Sequence, residues 1–222
     1  MLKLTYFQLL QAIRMPLTFF WTIGLPTILY LVFSYSQEQA ILLLGYIIFS
    51  SYLYGSTLQL ISQRESGFLK TFIQSKYSML NHLGSLYLAN LVIILLSVSV
   101  YLGLVFKSEF TSLAPFYLFG VIAVSPFVFF SCQVLTLLKL KNGDISTLCS
   151  MLLMICTLLS FSSFSFIGFE LNSLNPIYSI NSFFMPLEFD SDFLISLLPF
   201  LGFSIIGLIA TVKMNLQSYE AR

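Results

Sequence analysis

Charged residues are scarce in this 222-residue chain: only 9% of it is Asp, Glu, Lys or Arg, and it has one histidine. A soluble globular domain has about 25% charged residues, so this composition excludes a water-soluble fold. Hydrophobic residues make up 58% of the chain and occur in long runs. The three cysteines all fall inside such runs, which argues against a disulfide framework. The composition is that of a protein with several membrane-spanning segments.

The chain also lacks the residue patterns of the common catalytic sites. A His-Glu-x-x-His metal site needs two histidines, and an aspartyl protease needs paired aspartates within the membrane. Neither pattern occurs, and there is no Gly-x-Ser-x-Gly elbow. The G-x-x-x-x-G-K-[ST] phosphate-binding loop is absent as well. We therefore expect no enzyme activity and no bound metal or cofactor, and any ATPase must be a separate polypeptide.

Ion-driven transport is the main rival among transport mechanisms, and the same scarcity of charge argues against it. Secondary carriers place Asp, Glu, His or Arg within the membrane as ion ligands or proton relays. The apolar runs of this chain offer only Gln59, Asn90 and Gln133 as strongly polar residues. His82 is expected at the membrane boundary, where it is more often an interfacial residue than a relay.

Six apolar segments are long enough to cross a membrane as helices. A helix needs about 20 apolar residues to span a hydrocarbon core of about 30 Å. None of the six segments contains a charged residue; they comprise residues 17–33, 40–61, 84–106, 114–138, 145–167 and 193–212. Strands of a membrane β-barrel would be shorter and would alternate in polarity. The expected fold is therefore an all-α, six-span transmembrane domain over residues 1–222.

The basic residues predict how these spans are oriented. Cytoplasmic loops of membrane proteins retain Lys and Arg during insertion. Of the ten basic residues only Lys107 falls on one side, and nine fall on the other: Lys3, Arg14, Arg64, Lys70, Lys76, Lys139, Lys141, Lys213 and Arg222. We expect a multi-pass protein of the cell membrane with both termini in the cytoplasm.

Residues 1–14 have the pattern of a helix that lies in the membrane interface. Its apolar face contains Leu2, Tyr6, Leu9, Leu10 and Ile13, and its polar face contains Lys3, Gln11 and Arg14. Leu4 and Phe7 fall on or near the polar side and interrupt the pattern. The alternative interpretation is an ordinary charged flank of the first span.

The loop between the second and third spans, residues 63–80, contains a second amphipathic segment. Phe68, Leu69, Phe72 and Ile73 form one stripe of a short helix, with charged residues beside it. An apolar stripe outside the membrane core needs a cover. Composition alone does not distinguish lipid headgroups from a docked protein as that cover.

These features together resemble the ABC-2 type permease family, in particular its small bacterial peptide or toxin exporters. The resemblance rests on an interfacial helix that ends in Arg14-x-Pro16, on six spans, and on Arg-Glu-x-Gly-x-Leu-Lys at residues 64–70. Members of this family are membrane subunits of ATP-binding-cassette exporters. The chain departs from the family at Gln63, where an acidic residue is common, and near Lys76, where no proline is present.

The resemblance implies that residues 63–80 hold the coupling helix, which docks on the ATPase subunit. The matching residues, with the adjoining stripe, are Arg64, Glu65, Gly67, Phe68, Leu69, Lys70 and Phe72. The implied partners are two ATPase subunits, which carry ATP and Mg²⁺, and a second permease copy or homologue. The two permeases would pair largely through the first and fifth spans. The lipid bilayer is the remaining partner, and no nucleic acid is expected.

The resemblance also implies that residues 168–192 form short helices that dip into the outer leaflet and cap the pathway. This segment mixes apolar residues with prolines and carboxylates, unlike a solvated loop. The expected gate residues are Phe169, Glu170, Pro176, Phe183, Phe184 and Pro186.

The cargo is less constrained than the topology. With 24 Phe and 12 Tyr, a cavity between two such subunits would be aromatic and nearly uncharged, which suits amphipathic cargo. We expect export of an antimicrobial or toxin peptide. Export of a drug or lipid-linked molecule, or a membrane immunity or scaffold protein that binds a peptide without moving it, are the alternatives.

Overall fold

The computed structural model describes residues 2–14, 20–33, 37–73, 76–138, 141–160, 165–166, 169–170, 175–184 and 191–213. Four helical runs in these ranges are long and apolar enough to cross a membrane: Ala40–Glu65, Ser78–Phe106, Phe110–Leu137 and Gly143–Ser160. Two shorter apolar helices, Phe20–Val32 and Phe200–Thr211, fall within the first and sixth predicted spans. The prediction of a helical protein with apolar helices long enough to cross a membrane is confirmed. The six-span layout and the position of the termini stay predictions.

The described residues of the first half of the chain form six α-helices and two π-helical segments. Helix α1 comprises Leu2–Ile13, and the segment π1 (Phe20–Gly24) leads into α2 (Leu25–Phe33). The second predicted span consists of α3 (Gln37–Tyr52), π2 (Leu53–Leu58) and α4 (Gln59–Glu65) in direct succession. The short helix α5 (Phe68–Phe72) precedes the long helix α6 (Lys76–Phe106).

The second half begins with α7 (Phe110–Gln133), which is flanked by the 3-10 turns Lys107–Glu109 and Val134–Leu137. Helix α8 (Asn142–Ser160) follows. Strand β1 (Ser165–Phe166) then pairs antiparallel with β2 (Phe169–Glu170). The short helix α9 (Pro176–Ser182) and the last helix α10 (Ser191–Lys213) complete the described part.

The secondary structure around the end of the fifth predicted span differs from the expectation. Helix α8 ends at Ser160, whereas the hydropathy pattern extends the span to Ile167. The outer segment was expected to form short helices, and it contains strand β2 in addition to α9. Phenylalanine and isoleucine favour strands as well as apolar spans, so hydropathy alone does not place this boundary.

The run from α3 to α4 is the centre of the molecule. In its most apolar window 83% of the residues are buried, compared with 50% for α6 and 17% for α8. Leu44, Ile47 and Leu53 have no exposed surface. A span that is buried on all sides is apolar all round, which explains why α3 shows no amphipathic pattern. Helix α8 instead lies at the periphery of the described structure.

Small residues bring α7 and α10 close together. Gly207 lies against the backbone carbonyl of Phe130, and a Cβ at this position would not fit. The hydroxyl groups of Ser131 and Ser204 are 2.9 Å apart, and the Ser204 hydroxyl donates to the Phe127 carbonyl at 2.8 Å. Close packing and interhelical hydrogen bonds are what hold helices together in lipid. The last helix is therefore fixed to α7.

Candidate functional site

The chain changes direction at Gly67, between α4 and α5. This glycine has a φ of 75°, a left-handed conformation that disfavours any residue with a Cβ. Its amide donates to the Arg64 carbonyl at 3.1 Å and so closes the end of α4. Nothing lies within 4 Å of a Cβ built at Gly67, so the backbone conformation, not lack of space, favours glycine. Within the predicted coupling loop, the end of α4 and the helix α5 are therefore separate elements.

Arg64 lies inside the structure and not on the surface of the predicted loop. Its side chain has no exposed surface, and Nη1 donates to the carbonyl of Thr136 at 3.0 Å. Its Nε is 3.5 Å from a carboxylate oxygen of Glu65. These contacts fasten α4 to the 3-10 turn that follows α7. Arg64 is thus placed to position the loop and is too buried to meet a soluble partner itself.

The apolar stripe of α5 is largely covered by the chain itself, which corrects the expectation that it needs an outside cover. Leu69 has no exposed surface, and Ile73 is only 8% exposed. Phe68 is half-buried, with its ring centroid 6.2 Å from that of His82. The Phe72 side chain lies outside the described residues. Among the side chains described in residues 66–73, the exposed ones are polar: Ser66, Lys70 and Thr71.

Four glutamines and His82 join α1, α4 and α6 next to this segment, and we call them the glutamine junction. The amide of Gln59 donates to Gln8 and, at 3.0 Å, to Oε1 of Gln11. The amide of Gln63 donates to the same two oxygens, at 3.2 and 3.4 Å. Oε1 of Gln63 is 2.8 Å from Nε2 of His82. The junction ties the N-terminal helix to both ends of the predicted coupling loop.

Sequence reasoning noted some of these residues singly but missed the junction. Gln8 was not identified at all, and it has no exposed surface. A signal was present in the spacing: Gln8 and Gln11 are three residues apart, and Gln59 and Gln63 are four apart. Each spacing places the pair on one face of a helix. Two glutamine pairs on helices that must pack together indicate an amide network.

At the C-terminal end of α8, Asn175 fixes the start of the short helix α9. Its Oδ1 accepts the amide of Ile177 at 3.1 Å, the arrangement of a helix N-cap. Its Nδ2 donates to the carbonyl of Cys156 at 2.8 Å and to the hydroxyl of Ser160 at 2.9 Å. Pro176 occupies the first helical turn, where its missing amide donor costs nothing. The start of α9 is thereby attached to the end of α8.

Asn181 attaches the other end of α9 to the central helix α3. Its Nδ2 donates to the carbonyl of Leu42 at 2.7 Å, and its Oδ1 accepts the amide of Gly45 at 2.8 Å. A Cβ at residue 45 would lie 2.7 Å from the Ile177 backbone carbonyl, so only glycine fits here. Asn181, Ile177 and Ile180 are buried. Helix α9 is therefore an integral part of the helix packing.

The predicted gate residues are found partly around α9. Phe184 is buried, with its ring 6.1 Å from that of Tyr117 on α7, while Pro176 and Phe183 are half-buried. Phe169 and Glu170 form strand β2, but their side chains lie outside the described residues, as does Pro186. The sequence analysis missed Asn175, Asn181 and Gly45. The Asn-Pro pair at 175–176 is the signal of a capped helix start that could have located α9.

Among the described residues no group of three or more His, Cys, Asp and Glu side chains is arranged to hold a metal ion. The fold and these contacts define a helical membrane protein with a short helix docked at each end of its central helix run. Over nearly its whole length the chain is similar to protein McbE of Escherichia coli. The two are 25% identical over 231 residues, which cover 96% of this chain and 93% of McbE. No family model and no solved structure matches the chain.

Proposed function

We propose that this chain is the permease subunit of an ATP-driven ABC exporter. It forms half of a translocation pathway, and an identical or homologous permease forms the other half. The chain itself is not an enzyme: ATP and Mg²⁺ are bound by two separate ATPase subunits. The membrane character of the helices and the resemblance of residues 64–70 to the ABC-2 coupling motif support this proposal.

The observation that carries the proposal is that α4, which leads through Gly67 into the short helix α5, is attached to several helices at once. Arg64 connects the end of α4 to the turn after α7, and the glutamine junction connects α4 to α1 and α6. Leu69 is buried in the apolar core, so α5 is not an independent flap. A displacement of α5 by a soluble subunit would therefore be transmitted to four helices: α1, α4, α6 and α7. This is what a permease driven by a separate ATPase requires.

The exposure of α8 supports pairing with a second permease. Only 17% of the residues in its apolar window are buried by the rest of the chain. Its outward face carries four exposed apolar side chains: Met151, Met154, Ile155 and Leu158. A peripheral helix of this kind is available for helix packing in the bilayer. In this proposal α8 contributes to the contact between the two permeases.

The proposed cargo is an amphipathic peptide of the antimicrobial or toxin kind. The proposed outer gate is α9, because it lies between the last two long helices and is attached to both α3 and α8. Cargo release would require α9 to shift relative to α3. Membrane protection by export of such a peptide is the corresponding physiological role.

Affinity purification of the tagged chain in mild detergent tests the proposal. We expect co-purification of a soluble subunit that contains a phosphate-binding loop, and ATPase activity that rises when the correct peptide is added. Recovery of the chain alone, under conditions that preserve a known complex of this type, would contradict the exporter. The apolar stripe is a poor target for mutation here, because Leu69→Asp would bury a carboxylate and destabilise the fold.

One observation favours the alternative of an immunity or scaffold protein that binds a peptide without moving it. Leu69 and Ile73 of the stripe expected to dock on an ATPase are covered by the chain, which leaves a smaller apolar surface for a soluble partner. In that case peptide would bind to the purified chain in the absence of nucleotide, and cells would be protected without any export. Peptide levels in the medium of protected cells distinguish the two functions.

A further inference from the structure

Helix α1 has two different outward sides, which explains its imperfect amphipathic pattern. Leu2, Tyr6, Leu10 and Ile13 share one exposed apolar side. Lys3, Phe7 and Arg14 share the next side around the helix and are exposed as well. The third side holds Gln8 and Ala12 and is buried against the rest of the chain. Phe7 is therefore not a misplaced lipid contact, because the exposed apolar side lies elsewhere on the helix.

A cleft of about 260 Å³ opens beside Phe7, between α1 and the turn from α4 to α5. Six residues line it: Phe7, Gln11, Ser62, Gln63, Ser66 and Phe68. Phe7 and Phe68 contribute aromatic surface, and Gln11 and Gln63 belong to the glutamine junction. Its volume exceeds the about 150 Å³ of an apolar cavity that accepts benzene, so one large side chain can enter it. We call it the junction cleft.

The polar groups at the junction cleft favour a hydrogen-bond acceptor. The side-chain oxygens of Gln8 and Gln11 each accept two bonds from Gln59 and Gln63, so their amide N–H groups are left to donate elsewhere. Nε2 of Gln8 is buried and has no hydrogen-bond partner within the described part of the chain. A buried donor without an acceptor costs about 1–3 kcal/mol. Gln8 does not line the cleft, so the amide that a ligand in the cleft can reach is that of Gln11, which lines it.

The exposed charged side chains described on the two helices that border the junction cleft, and directly after α1, are all basic. They are Lys3 on α1, Arg14 directly after α1, and Lys70 on α5. The carboxylate of Glu65, in the same region, is held by Arg64. Positive potential around a donor-rich cleft attracts an acidic group and increases its rate of association.

We propose that the junction cleft is a docking socket for an acidic side chain of a soluble partner protein. This rests on the proposed function, in which the partner is the ATPase subunit. The buried Leu69 and Ile73 are not available for docking, so the partner meets the aromatic and polar surface of the cleft. The carboxylate sits at the glutamine junction, which α1, α4 and α6 share, and docking therefore acts on three helices.

A soluble protein fits the cleft better than a lipid headgroup does. The exposed apolar side of α1, with Leu2, Tyr6, Leu10 and Ile13, is the side that the bilayer covers. Lys3, Phe7 and Arg14 lie on the adjoining side of the helix, where Phe7 lines the cleft. When α1 lies on the membrane through its apolar side, the cleft faces water.

The neighbouring residues Phe7 and Tyr6 provide a matched pair for the test. Phe7 is 51% exposed and lines the cleft, whereas Tyr6 is 64% exposed on the lipid side. We expect Phe7→Ala to lower recovery of the ATPase subunit in affinity purification by about tenfold or more, as for a central interface aromatic. Tyr6→Ala should recover as much as the wild-type chain. Lys3→Glu and Arg14→Glu should each lower recovery, and Lys141→Glu, an exposed cation outside the cleft, should not.

The comparison is made only with variants that elute from size-exclusion chromatography and melt as the wild-type chain does. If the wild-type chain recovers no ATPase subunit, the proposed function fails and the socket with it. If the wild-type chain and Phe7→Ala recover the subunit equally, the socket alone is wrong. If Phe7→Ala keeps the subunit but loses co-purified anionic phospholipid, the cleft binds a headgroup and the proposal is overturned.

Discussion

At the scale of single residues, the few strongly polar side chains form hydrogen bonds that hold separate helices together. Among the described lysine and arginine side chains Arg64 is the one that has no exposed surface, and it donates to a backbone carbonyl of a distant turn. Asn181 does the same for the backbone of α3 at Leu42 and Gly45. A polar group in an apolar environment is costly unless it is paired, so such contacts are specific as well as stabilising. Substitution of these residues should therefore lower the stability of the protein.

Arg64→Ala should destabilise the protein although it removes no apolar contact of the core. It leaves the Thr136 carbonyl without this donor and removes the ion partner of Glu65. Loss of a buried partner of this kind costs about 1–3 kcal/mol. We expect a lower melting midpoint in detergent, while Lys70→Ala, at an exposed position six residues later, should melt as the wild-type chain does. Equal midpoints for both variants would show that the contacts of Arg64 do not stabilise the fold.

Gly45→Ala should be far more harmful than the same substitution at Gly103. A Cβ at residue 45 would lie 2.7 Å from the Ile177 carbonyl, a backbone atom that a side-chain rotation does not relieve. Nothing lies within 4 Å of a Cβ at Gly103, where alanine gains about 1 kcal/mol of helix propensity. Melting curves should show a loss for Gly45→Ala and no loss for Gly103→Ala. A tolerated alanine at residue 45 would mean that α9 does not pack against α3 as described.

At the scale of elements, hydropathy predicted the long helices well because a bilayer requires long apolar segments whatever their neighbours are. It did not predict the π-helical segments, which contact each other through Trp21 stacked on Tyr54 at 5.9 Å. An extra residue in a helical turn leaves no trace in hydropathy. The docked position of α9 also escaped prediction, because the Asn181 contact depends on a glycine 136 residues away in the chain. The short helix α5 falls where the apolar stripe predicted a helix, but the burial of Leu69 and Ile73 depends on packing that the sequence pattern does not reveal.

Helix α9 has only seven residues, so its stability depends on its cap and its contacts. Asn175→Ala removes the N-cap, worth about 1 kcal/mol, and also the bonds to Cys156 and Ser160. We expect faster hydrogen–deuterium exchange of the amides in Pro176–Ser182, with little change in α7. Thr147→Ala is the control, because this exposed threonine bonds only to the carbonyl of Gly143 within its own helix. Unchanged exchange in Asn175→Ala would show that α9 is held by its apolar contacts alone.

At the scale of the whole molecule, burial is unevenly distributed among the long helices. The α3–α4 run is enclosed, while α8 packs against this run through one face and is joined to it by a hydrogen bond between the hydroxyl groups of Tyr54 and Ser150, 2.8 Å apart. The unequal burial leaves an exposed apolar side at α8, which we call the open side. An open side made of apolar residues is covered in the bilayer either by lipid or by another helix. The proposed pairing of two permeases predicts that another helix covers it.

Cysteine cross-linking in membranes tests this pairing. The native cysteines, Cys132, Cys149 and Cys156, are buried and are replaced by alanine to give a silent background. A single cysteine at Met154, which is 65% exposed on α8, should then form a disulfide-linked dimer on mild oxidation. A cysteine at Phe119, which is 73% exposed on α7, should remain monomeric, because α7 lies outside the proposed contact. Random collision would cross-link the more exposed position at least as well. A dimer at residue 119 without one at residue 154 would therefore place the contact on α7, and monomers at both would leave the open side of α8 to lipid.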